Sequence, residues 1–221
     1  MPDVDVESDE RAAERLTFFS DAVVAIAMTL LAIDLPVPEG ATVAKFWASV
    51  QHDEGHYAAF VISFVVIASA WSDHHRMFRF TRRTDSRLRL LNICWLFTIV
   101  LYPFATKLLT TGEQTLATHA VRYGFYALLQ VCESGLLYAM LRHMVSRDLA
   151  PGMPDREAHG MAFQSLRLMA GFGLSIPVFF VTTYGWVLWF VIPVLAGRLS
   201  SVLRRRRGRT RGAGGSPDDG K

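Results

Sequence analysis

The sequence predicts an all-α, polytopic membrane protein with about six transmembrane helices per subunit. Three observations predict it. Of 221 residues, 51% are hydrophobic and 19% charged, whereas soluble domains run near 25% charged. The apolar residues come in blocks of about 20, the length that crosses a hydrocarbon core about 30 Å thick. The arginines gather between alternate blocks, the asymmetry that orients membrane proteins.

The first span is expected from Arg15 to Val37, closed by Pro36 and Pro38. The second runs from His56 through Trp71 and continues as a more polar turn or two toward Arg82. The third covers Leu88 to Thr111, with Pro103 in its second half, and the fourth covers His119 to Arg142. The fifth runs from Gln164 to Thr183 and contains Gly171, Gly173 and Pro177. The sixth runs from Tyr184 to Leu203. Pro177 and the Tyr184-Gly185 pair separate these last two by a tight turn.

Arg76, Arg79, Arg82, Arg83, Arg87 and Arg89 lie between spans two and three, and Arg142, Arg147 and Arg156 between four and five. The opposite loops carry only Lys45, Lys107 and Arg122. The basic side is expected to be cytoplasmic, and an even number of spans puts both termini there. The division follows: 1–14 an acidic cytoplasmic N-terminus, 15–203 the transmembrane domain, 204–221 a basic, disordered cytoplasmic tail. Residues 1–10 are expected to lack structure as well. Beside a membrane helix, the arginines from Arg204 to Arg211 suit anionic lipid headgroups rather than nucleic acid. No cleavable leader and no internal repeat is expected. Cys94 and Cys132 sit in apolar runs and read as small hydrophobes.

Enzyme signatures are missing: there is no GxSxG, no Walker A and no GxGxxG beside a strand. Asp73-His74-His75 is a poor metal site, because adjacent helical residues point about 100° apart. Thr182-Thr183-Tyr184-Gly185-Trp186 reads as a turn with interfacial aromatics. Gly171 and Gly173 suit close helix packing. Glu133, beside Gln130 and Ser134, is either a proton relay or a hydrogen-bonded acid at a helix interface.

The first span carries the functional signal. Arg15, Ser20, Asp21 and Asp34 are polar groups in or beside it, where charge is costly and faces protein or water. Ile26, Leu30 and Ile33 recur at i, i+4 and i+7, forming one aliphatic stripe. From the residues alone, the stripe is packing, lipid contact or function. Asp21 is either a working carboxylate or one satisfied by a nearby Arg or His.

Arg15-x-x-x-Phe19-Ser20-Asp21 resembles the RxxxFSD signature that opens the first helix of the lysosomal-type potassium channels and their bacterial relatives. The likeness continues through Thr29-Leu30-Leu31 and Asp34, Trp71-Ser72-Asp73-His74-His75, Asn92 and Pro103-Phe104, covering roughly residues 11–111. The resemblance implies one six-helix unit per chain and a homotetramer whose four first helices line a central pore. By position, Ile26 is its narrowest ring, with Leu30 and Ile33 as further rings. Arg15, Phe19, Ser20 and Asp21 join a polar network with His74 or His75, Asn92 and Trp95. No cofactor is implied; the permeant ion is potassium, and the partners are lipid and other copies of the chain. An aliphatic ring offers an ion no ligands and gates by dewetting, so selectivity over sodium is expected to be weaker than in a carbonyl filter. The bacterial plasma membrane is the expected location. The competing expectation is a proton-coupled secondary transporter that relays through Asp21, Glu133 or a histidine; a non-conducting membrane scaffold or sensor is a third, weaker one.

Overall fold

The computed structural model describes residues 2–112, 115–192 and 195. Among the described residues every regular element is a helix: α1 Pro2–Ile33, α2 Val43–His52, α3 Glu54–Phe78, α4 Ser86–Thr110, α5 Leu116–Ser146 and α6 Asp155–Phe179, then a 3-10 turn at Thr183–Val187. Five of these helices are long and apolar enough to cross a membrane: Glu10–Ile33 within α1, then α3, α4, α5 and α6. The expected sixth span starts with the 3-10 turn and continues as helix to Ile192. Apart from Leu195, the rest of it and the basic tail 204–221 lie outside the described residues.

Three expectations need correction. The acidic segment 1–10 is expected to lack structure, yet α1 is helical from Pro2. The loop between the first two spans contains a helix, α2, started by the Thr42 hydroxyl, which accepts from the Lys45 amide at 3.3 Å. The fifth span begins at Asp155 instead of Gln164. Pro154 stands at its N-cap, and Asp155 and Glu157 occupy the first turn, where negative charge favours the helix.

Local chemistry sets the other boundaries. Asp85 caps α4 by accepting the Leu88 amide at 2.7 Å, and Thr115 caps α5 by accepting the Thr118 amide at 3.3 Å. After α4, Gly112 adopts φ +69°, the left-handed conformation that commonly closes a helix and that glycine enters without strain. Pro177 lies inside α6, which ends two residues later at Phe179.

α5 packs between α4 and α6, while α1 lies against α3 and α4. The apolar core runs through Val24, Leu31, Ile67, Trp95, Ile99, Tyr102, Tyr126 and Met140. Trp189, from the start of the last helix, folds back onto this body. Its ring stacks on Phe172 at 4.9 Å and Tyr126 at 5.3 Å, and its indole N–H donates to Ser175 Oγ at 2.8 Å. Because its neighbours are α3 and α4, α1 has one covered face and one open face.

Candidate functional site

At about 100° per residue, α1 divides into two faces. Ser20, Val24, Ala27 and Leu31 fall on one, and all four are buried. Ile26, Leu30 and Ile33 fall on the other and are 59%, 40% and 74% exposed. Open apolar surface along a membrane helix faces lipid, another copy or a pore, and it contrasts with the polar pinning of the covered face.

That pinning runs through three helices. Ser20 Oγ donates to the Leu16 carbonyl at 2.8 Å and accepts from Asn92 Nδ2 at 2.9 Å. Asn92 Oδ1 meets His74 Nε2 at 2.7 Å. Because the amide oxygen can only accept, His74 must carry its proton on Nε2. Ser20, Asn92 and His74 are all fully buried, and the His74 ring lies between Phe78 and Trp95, each 4.2 Å away. Its Nδ1 is buried and has no hydrogen-bond partner among the described residues.

Asp21 turns to α3 by a separate route. Its Oδ1 accepts the Trp71 indole N–H at 2.8 Å, and its Oδ2 lies 4.0 Å from His75 Nδ1. The adjacent histidines therefore serve different partners: His74 meets Asn92, and His75 faces Asp21. Trp71 stood in the quoted motif without a role, because its bond to Asp21 spans 50 residues of chain.

Arg15 and Phe19 do not join these bonds within the subunit. Both are exposed, and their positions put them within about 40° of Ile26 on the helical wheel, on the open face. Arg15 lies about 140° around the helix from Ser20, which directs the two to opposite sides. Trp95 also departs from expectation. It stacks on His74 with its ring tilted by only 7° and donates its N–H to Glu133 Oε1 at 3.0 Å.

Glu133 is 1% exposed. Its Oε2 accepts from Gln130 Nε2 at 2.7 Å and Ser134 Oγ at 3.1 Å, and Gln130 Oε1 accepts from Tyr102 at 2.7 Å. The Trp95–His74 stack thus connects the α1 anchor to a polar cluster between α4 and α5. A further set, Ser63, Thr106 and Tyr126, ties α3, α4 and α5 with bonds of 2.7 and 3.0 Å. Buried polar groups are costly unless satisfied, and fully bonded networks fix one packing. The arrangement can hold α1 at a set angle and depth while its aliphatic face stays free.

Residues 15–103 match the family of the endosomal/lysosomal potassium channel TMEM175. A potassium channel from Streptomyces collinus is 32% identical over 130 residues, 59% of this chain and 63% of that protein. A potassium channel from a Chryseobacterium species is 28% identical over 173 residues, 77% of this chain and 84% of that one. The crystal structure of a lysosomal potassium-selective channel TMEM175 homologue from Chamaesiphon minutus superposes with a TM-score of 0.67 at 23% identity. That superposition covers 86% of this chain and 99% of the other, so the two share a fold along nearly the whole bacterial protein.

Proposed function

We propose that this chain is a member of the family of the endosomal/lysosomal potassium channel TMEM175 and a potassium-preferring cation channel, a reading supported by the match over residues 15–103 and by the shared fold. Ions pass down their gradient through a central pore between four copies of the chain, and α1 lines it. Ile26, Leu30 and Ile33 form its aliphatic constriction. The single observation that carries this reading is the division of α1: Ile26, Leu30 and Ile33 are exposed while Ser20, on the covered face, is buried and bonded to Asn92.

The two faces have different tasks. The Ser20–Asn92–His74 chain and the Asp21–Trp71 bond position the helix and do not touch the ion. The aliphatic face excludes water when narrow and admits a hydrated ion when wide. A closed ring of subunits supplies the further α1 helices that one chain lacks. Residues 15–203 then form the conducting domain in a bacterial plasma membrane, with the acidic segment 1–14 and the basic tail 204–221 on the cytoplasmic side.

Replacing Ile26 tests the constriction. Asparagine there puts amide groups where the ring excluded water, so the potassium-to-sodium permeability ratio from reversal potentials should fall toward ~1. A ratio equal to wild type would remove Ile26 from the constriction.

A further inference from the structure

Asp34 follows Ile33 directly, one position beyond the last helical residue of α1. Its Oδ1 accepts from Lys107 Nζ at 2.8 Å. Lys107 sits in the last turn of α4, and both side chains are well exposed, Asp34 at 45% and Lys107 at 60%. An exposed ion pair adds little to folding, so stability is a weak reason for holding these two charges together. Helical geometry places Asp34 about 40° around from Leu30, about 100° from Ile33 and about 20° from the buried Ala27, on the flank toward α4. The carboxylate therefore stands level with the end of the aliphatic stripe, on its α4 side, where the Lys107 ammonium meets it.

We propose that Lys107 sets the charge at this mouth of the ion path by cancelling Asp34. The inference rests on the reading of α1 as the pore-lining helix. Each copy contributes one carboxylate at the end of the stripe and one ammonium that neutralises it. Without the ammonium, a ring of uncancelled carboxylates concentrates cations at the mouth. Without the carboxylate, a ring of ammonium groups repels them. Charged rings at a channel entrance act in this way through their summed field. Salt screens that field: the Debye length is about 30 Å at about 0.01 M and about 3 Å at about 1 M.

The test is single-channel potassium conductance of the full chain in planar bilayers, in symmetric KCl at about 0.01 M and about 1 M. In dilute salt, K107Q should conduct on the order of 2- to 10-fold more than wild type, and D34N less by a similar factor. The double variant D34N/K107Q restores a net charge of zero and should return near the wild-type level. All four should converge in concentrated salt. A K107Q protein that does not assemble is replaced by K107C with Cys94 and Cys132 changed to alanine, modified after reconstitution. A cationic thiosulfonate should then restore wild-type conductance and an anionic one should raise it. Unchanged conductance in K107Q, or equal conductance with the two reagents, while the channel still passes potassium overturns this inference and leaves the pore reading standing. Wild-type protein without potassium current overturns the pore reading and this inference with it.

Discussion

Asn92 uses both ends of its amide: Nδ2 donates to Ser20 at 2.9 Å, and Oδ1 pairs with His74 Nε2 at 2.7 Å. Removing it leaves a buried N–H on His74 with no acceptor in a fully buried pocket. Asn92→Ala should therefore destabilise the folded chain by about 1–3 kcal/mol, read as a lower unfolding temperature of the detergent-solubilised protein. Ile26→Asn, on the open face, should leave that temperature near wild type; an equal loss in both variants would contradict the division of α1 into a pinned and a free face. At this scale the sequence revealed the residue types of the anchor and withheld the pairing. His74 and His75 are neighbours in sequence, and only the third dimension sends one to Asn92 and the other toward Asp21. Arg15 was the misleading case. A charge near a membrane helix suggests a buried partner, yet its position on the helical wheel directs it to the open face.

Helix ends and helix contacts make two more expectations checkable. Asp85 caps α4 through the Leu88 amide and also holds His143 of α5, with Oδ2 2.7 Å from Nε2. Burial pushes the Asp85 carboxyl up, but the Leu88 amide, His143 and Arg147 together outweigh it and hold it below its ordinary value of 3.8. A carboxyl depressed in the folded state contributes stability that is complete above its unfolded value and is lost as pH falls through the folded one. Asp85→Asn, which can still cap, should thus be less stable than wild type at neutral pH, and the difference should shrink once pH drops below about 4. A constant difference down to pH ~2 would refute the linkage. The second case is Gly185. A Cβ there would lie 2.7 and 2.8 Å from the ring of Phe179, which is fully buried beside Trp189. Gly185→Ala should cost about 1–3 kcal/mol through overpacking, measured by thermal unfolding; wild-type stability would show that the turn shifts freely. Long apolar helices were legible because twenty apolar residues have few other uses. The short helix α2 was not, since ten mixed residues with two aromatics look like a loop until Thr42 is seen to cap them.

As a whole, the molecule is a body built on α3, α4, α5 and α6 with α1 laid along α3 and α4. Its all-helical class was readable from composition and block length, and the likeness to the TMEM175 channels from the first helix and the motifs after it. The cluster joining Trp95, Glu133, Gln130 and Tyr102 was not, because its bonds cross 28 and 38 residues of chain and follow no local period. The proposed pore belongs to a scale above the single chain, where the proposal has four open α1 faces meet. The most direct measurement is potassium flux from liposomes that carry the purified protein, with sodium flux and a pH dye followed in parallel. The account predicts passive potassium efflux down its gradient, exceeding that of sodium and proceeding without obligatory proton movement. Potassium movement strictly coupled to protons, or no potassium flux at all, would contradict it.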